Sequence, residues 1–178
     1  MRHPGAVPTV AVPTEEDLMT HDDDIATVAG LIKDAKIAML TTVGADGSLV
    51  SRPMGVQDVD FDGDLWFFAD ADSHKVHEIE AGSPANAAFA DSTAWVSVSG
   101  PAEVVRDVAK NRELWGATAE AWFPDGPETP GLVLVVVHGE TAEYWHAKGG
   151  RLTTAFSLVK AKVTGERYDG GENETVQF

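Results

Sequence analysis

KIAMLTTVGADGSLVSRPMGVQDV, residues 36–59, is the stretch on which the fold turns. Residues 36–43 are an apolar run of buried-strand length. Ala45-Asp46-Gly47-Ser48 supplies an Asp-Gly turn, and residues 49–59 resume a strand pattern. Asp-Gly between two such segments predicts a hairpin, because glycine adopts the left-handed backbone that short antiparallel connections require. The same punctuation recurs outward. Asp60-Phe61-Asp62-Gly63-Asp64 is a second turn, and LWFFA, residues 65–69, is a third strand. Residues 86–90 and 95–105 predict two more strands. The second alternates at Val96, Val98 and Val104, and Gly100-Pro101 marks a bulge or bend within it, so Gly100 is expected to resist substitution. LVLVVVHGETAEYW, residues 132–145, is read as the longest apolar strand.

Helical spacing is confined to short pieces. Ile25, Val28, Ala29 and Ile32 recur at three and four residues and predict a helix that ends near Ala35. HKVHEIEAG places Val76 and Ile79 on one face, with Gly82 as the stop. Residues 107–122 return to a helical pattern, residues 124–131 form a turn-rich loop, and residues 152–163 fit a last helix. About six strands with hairpin-length connections predict a mainly β (α+β) fold, an antiparallel barrel with peripheral short helices. The strands do not alternate with long helices, which argues against a doubly wound parallel sheet. The domain is expected over residues 22–165, with a flexible proline-rich arm at 1–21 and a mobile Gly- and Glu-rich tail at 166–178.

The 178 residues are one domain's length. Hydrophobic residues at 43% and charged residues at 24% are the balance of a soluble globular protein. There are 29 acidic residues against 13 Lys and Arg, a formal charge of −16 without a basic cluster, which excludes a nucleic-acid binder. No apolar window reaches membrane-span length, so no membrane partner is expected. The N-terminal stretch lacks a continuous apolar core of the secretory type, and the expected address is cytoplasmic. The chain has no cysteine, which removes disulfides, zinc–thiolate sites and thiol catalysis. Surplus aromatic and aliphatic residues, including the apolar run at 132–138 and five tryptophans, lead to an expected homodimer.

No phosphate loop, dinucleotide fingerprint, zinc-protease helix or nucleophile elbow is present. His74 and His77, near Asp70 and Asp72, lack a converging further ligand, so no metal is expected. Asn173-Glu174-Thr175 matches a glycosylation sequon by chance. Two arrangements stand out. Arg52 precedes Pro53 and Met54 on a strand, and a proline that cannot donate to a ladder suggests a strand departing there beside a polar ligand. Asp72-Ser73-His74-Lys75 opens a helix, where Ser73 can cap the helix or bond an anion. Lys75 stands where the helix dipole disfavours a cation, which a bound phosphate would offset. Each also has an ordinary alternative, a surface arginine and a helix cap with an incidental lysine.

The order KIAMLTTV, DGSLVSRPM, DGDLWFFAD, DSHKVHEIE, AFAD, WVSVSGPAEVV, AWFPDGPE and EYW resembles the general stress protein group of the pyridoxamine 5′-phosphate oxidase-like flavin proteins, over roughly residues 24–165. The resemblance implies a split β-barrel, a homodimer and FMN at the dimer interface, ahead of FAD or a deazaflavin. It implies that Arg52 and Lys75 hold the FMN phosphate with Ser73 and His74 in the same motif. Pro53, Met54 and the Phe67, Phe68 and Ala69 backbone would line the ring or ribityl chain, and Trp95 and Trp145 would approach the flavin from the partner subunit. Three positions depart from the oxidase proper. Gln57 stands where a substrate-phosphate lysine is expected, Arg151-Leu152-Thr153 lacks the histidine of the R-L-H signature, and His74 replaces the arginine of S-R-K. Losing a cation and that histidine argues against vitamin B6 oxidation. The expected activity is a flavin-dependent oxidoreductase that draws electrons from a reduced nicotinamide for an unidentified acceptor, with no catalytic side chain identified. The alternatives are a flavin reservoir or sensor without turnover, or a relative that binds a deazaflavin or haem.

Overall fold

A computed structural model of the chain describes residues 25–33, 35–57, 61–90, 94–146 and 172–177. The expected arm at 1–21, the helix at 152–163 and Arg151-Leu152-Thr153 lie outside the described residues. The described helices are α1 (residues 25–32), α2 (His74–Glu80), α3 (Val108–Glu113) and α4 (Ala117–Trp122). The strands are β1 (Ile37–Val43), β2 (Leu49–Gly55), β3 (Asp64–Asp70), β4 (Ala85–Ala90), β5 (Ala94–Gly100), β6 (Ala102–Val105), β7 (Leu132–His138), β8 (Thr141–His146) and β9 (Glu172–Gln177).

These strands form a six-stranded sheet, β2-β1-β4-β5-β8-β9, and a three-stranded sheet, β3-β7-β6, antiparallel throughout. The predicted hairpin is present. Val43 faces Leu49, and Gly47 turns the chain at φ 82°. The antiparallel sheets and peripheral helices agree with the expected class, but the described ladders do not close into a barrel. The chain changes sheet where a continuous strand was expected. Residues 95–105 are two strands, β5 in the larger sheet and β6 in the smaller. The long apolar segment 132–145 is likewise two strands, β7 and β8, that part at Gly139-Glu140.

Both changes occur at one corner. His138 N–H donates to the Pro101 carbonyl at 2.9 Å, Glu140 N–H to the Ser99 carbonyl at 2.9 Å and Gly139 N–H to the Gly63 carbonyl at 2.8 Å. The His138 carbonyl crosses so close to Gly100 that a Cβ there would lie 1.8 Å from its oxygen. Backbone, not a yielding side chain, occupies the space, so only glycine fits. The His138 ring joins the ends of three strands: Nδ1 is 2.8 Å from Asp64 on β3 and Nε2 is 3.6 Å from Glu103 on β6.

β7 is buried on both faces, which accounts for its unbroken apolar run. Val133, Val135 and Val137 enter the main core with Leu40, Phe67, Val76 and Val98. Leu132 and Leu134 pack into a second cluster with Phe68, Leu114 and Ala119, beneath α3 and α4. The run at 132–138 is thus absorbed inside the chain and gives no support to the expected dimer. The helix expected over 107–122 is broken at Gly116, whose extended backbone starts α4. The tail expected to be mobile holds β9, which pairs with β8 along its length and buries Val176. Its one apolar residue among polar neighbours is too weak a pattern to announce a strand. Among the described residues no helix is long and apolar enough to cross a membrane.

Candidate functional site

A cleft of about 220 Å³ opens where β2, β3, α2 and α4 meet. β2 supplies Pro53, Met54 and Gly55, and the end of β3 supplies Phe68, Ala69 and Asp70. Lys75 reaches in from α2, and α4 covers the opposite side with Thr118, Ala119, Trp122 and Phe123. Gly55 lets α4 approach, since a Cβ there would stand 2.8 Å from the Thr118 methyl. Trp122 is 68% exposed at the rim. Buried Gln57 also lines the cleft and donates to the Gly55 carbonyl at 3.0 Å.

Charge gathers on one side of this apolar slot. The Lys75 ammonium is half-buried, and its pKa is held below the ordinary lysine range, first by burial and then by repulsion from Arg52. Asp70 and Glu78 oppose that shift. Arg52 projects from the inner face of β2. Its Nη2 lies 3.2 Å from Glu78 Oε2, and its Nη1 donates to the Thr42 hydroxyl. Two cations thus stand close enough to repel each other, one beside apolar walls, with the carboxylates of Asp70 and Glu78 among them.

The structure therefore brings Pro53, Met54, Phe68, Ala69 and Lys75 to one cleft and sets Arg52 beside Lys75. The side chains of the other expected residues do not line this cleft. The Phe67 side chain is fully buried in the main core, because alternation along β3 sends it opposite to Phe68. Ser73 is the backbone cap of α2, but its hydroxyl donates to the Asp70 carbonyl at 2.6 Å and makes no side-chain cap bond. His74 is exposed. Trp95 and Trp145 face each other across β5 and β8, outside this cleft, and the expectation set them against the flavin of a second copy rather than of their own chain. Among the described residues no group of His, Asp and Glu converges as a metal site. The α4 wall was missed. The helical pattern over 107–122 includes it, and AWFPDGPE, residues 121–128, starts at its last two residues, but neither names a partner for the exposed tryptophan.

Comparison with known proteins agrees with this architecture. The family model described as pyridoxamine 5′-phosphate oxidase like matches residues 23–169. Protein bli-3 of Neurospora crassa is 31% identical over 157 residues, which cover 82% of this chain and 75% of that protein. A solved structure bearing the name general stress protein 26, from Jannaschia sp. CCS1, aligns at a TM-score of 0.70 and 26% identity, over 88% of this chain and 99% of that one. A general stress FMN/FAD binding protein from Xanthomonas citri aligns at a TM-score of 0.62 and 25% identity, over 72% of this chain and 92% of its own. With nearly the whole described domain inside the match, the chain belongs to the pyridoxamine 5′-phosphate oxidase-like family.

Proposed function

We propose that the protein binds FMN, with the phosphate between Arg52 and Lys75 and the flavin against Met54, Phe68 and Ala69, and that it is a flavin-dependent oxidoreductase of the general stress protein type. Lys75 is the observation that carries this reading. A lysine is held half-buried against apolar walls and beside a second cation, at a cost to its charged form, which a phosphate would offset. The Xanthomonas citri relative, named as an FMN/FAD binding protein, supports the same ligand class. The cleft, at about 220 Å³, is smaller than the roughly 300–1,000 Å³ of complete small-molecule pockets. A flavin would extend beyond it, which suits a homodimer in which Trp95 and Trp145 of a second copy complete the site. Bound flavin would supply the electron-transfer chemistry. The chain's part is to anchor the phosphate, exclude water from the slot and orient the ring for a reduced nicotinamide donor.

Titration with FMN and riboflavin tests the anchor. Each cation supplies a charge-assisted bond of about 1.5–3 kcal/mol, so Arg52→Ala or Lys75→Ala weakens FMN by roughly 10- to 150-fold. Riboflavin, without the phosphate, changes much less. Unchanged FMN affinity in both folded variants would refute the site. The ionisable groups among the described cleft-lining residues are Asp70 and Lys75, with no histidine or tyrosine. That favours, as second reading, a flavin reservoir or sensor. Nicotinamide oxidation by the FMN complex no faster than by free flavin would select it.

A further inference from the structure

Glu78 is an enclosed carboxylate beside both cations, and the phosphate anchor makes no use of it. Its side chain is 14% exposed and that of Arg52 is 19% exposed. Glu78 Oε2 accepts from Arg52 Nη2 and from the Thr42 hydroxyl, and Thr42 Oγ1 accepts from Arg52 Nη1. Thr42 is 1% exposed, on the inner face of β1, so the triangle joins β1, β2 and α2 in a part-buried place. Nη1 also approaches the Leu40 carbonyl at 3.5 Å. A guanidinium has five N–H donors in a fixed fork. Both terminal nitrogens of Arg52 thus already donate to its own chain, one of them to a full negative charge. Lys75 stands on the same helix three residues before Glu78.

We propose that Glu78 is a built-in competitor for the anion received by Arg52 and Lys75: it holds the guanidinium in place when the site is free and opposes the phosphate when it binds. The inference rests on the phosphate assignment above and deepens it. A phosphate that accepts from Arg52 Nη2 must share or displace Glu78 and lie close to a like charge in a partly desolvated place, where repulsion is weakly screened. Glu78 thus sets the affinity of the site below what its two cations would give, which makes a phosphorylated ligand exchangeable.

Glu78→Gln keeps an oxygen acceptor for Arg52 and removes the charge. It is expected to tighten FMN by about tenfold, the size of one like-charge contact of about 1.4 kcal/mol, with riboflavin unchanged. Glu78→Asp retains the charge but draws it back by one methylene, and tightens FMN by a smaller factor, about threefold. Thermal melting establishes that each variant folds, and the Asp variant carries the test if the Gln variant does not. Equal or weaker FMN binding in the folded variants overturns the proposal, since Glu78 would then serve the fold or hold Arg52 in its binding pose. Inorganic phosphate, titrated calorimetrically, separates this from failure of the flavin reading. If the wild type binds no flavin, that reading is wrong, and the competitor role still requires Glu78→Gln to bind phosphate about tenfold more tightly than wild type. Equal or weaker phosphate binding overturns it.

Discussion

The two sheets of this protein dispose of their apolar residues in opposite ways. In the smaller sheet β7 is enclosed on both faces, Val133 and Val135 against the main core and Leu132 and Leu134 against α3 and α4. Among the described residues of the larger sheet, β1 and β5 alternate between an enclosed inner face and a more exposed outer one. Along β1, Ala38, Leu40 and Thr42 are buried while Ile37 and Met39 are exposed, and along β5 Trp95 faces outward opposite Trp145. Hydrophobic sequence is therefore no guide here to surplus surface. The most apolar strand is fully satisfied within the chain, and the alternating strands are the ones left with uncovered aromatic and aliphatic side chains.

The corner that holds the two sheets together offers the largest expected effect. Gly100→Val would drive a side chain into the His138 carbonyl, 1.8 Å from the first added carbon. Neither strand can retreat without breaking the Pro101–His138 and Ser99–Glu140 backbone bonds. The expected loss exceeds about 4 kcal/mol, enough to unfold a marginal domain. Gly30→Ala in α1, where an added Cβ meets nothing within 4 Å, is the control and is expected to hold or gain about 0.5–1 kcal/mol. Similar midpoints for the two variants in urea unfolding would break the account of the corner.

A pair of substitutions sharpens the contrast between the sheets themselves. Leu134→Ala removes a fully buried side chain of β7 and is expected to lower stability by about 2–5 kcal/mol at any protein concentration. Trp95 is 47% exposed, so Trp95→Ala should leave the fold of a dilute sample within about 0.5 kcal/mol of wild type. If the outer face pairs with a second copy, the same variant raises the dimer dissociation constant by roughly 30-fold, as for an aromatic hot spot of about 2 kcal/mol. Sedimentation over a concentration series separates the two effects. A wild type that stays monomeric at micromolar concentration with FMN bound would remove the proposed interface and leave the outer face unexplained.

What the sequence revealed divides along the range of the interactions. The β1–β2 hairpin was legible because Asp46-Gly47 encodes its turn within four residues, and α2 because Val76, Ile79 and Gly82 encode its face and stop. Sheet membership was not legible. Nothing between Val98 and Val104 states that β5 and β6 join different sheets, since Gly100-Pro101 signals a bend without a direction, and the partner that makes Gly100 necessary is His138, far along the chain. The site divides in the same way. Met54, Phe68, Ala69 and Lys75 came from the family pattern and share the cleft. Trp122 and Glu78 required the packing of α4 on β2 and of α2 on β1 to acquire meaning. A glutamate on a short helix is a solvated charge until Arg52 and Thr42 are seen to close on it.

The smallest expected effect lies at the same corner and is a matter of pH. The hydrogen bond to Asp64 raises the His138 pKa above its ordinary value, with Asp64 and Glu103 charges adding to it and burial opposing. A histidine with a raised folded-state pKa contributes stability that is fully present below its unfolded value, near pH 6.5, and is lost as pH rises through the folded one. The side chain is 42% exposed, so screening keeps the contribution below about 1 kcal/mol. His138→Gln keeps a hydrogen-bonding side chain and abolishes the charge. The stability difference between wild type and variant is therefore expected to be larger at pH 5.5 than at pH 8.5. Taking the difference cancels whatever pH dependence the two proteins share. Chemical unfolding at the two pH values measures it, and a gap that is constant or widens toward pH 8.5 would show that Asp64 and Glu103 do not hold the corner through a charged imidazole. In that case the backbone bonds at Pro101 and Gly63, indifferent to pH in this range, join the sheets without help from the ring.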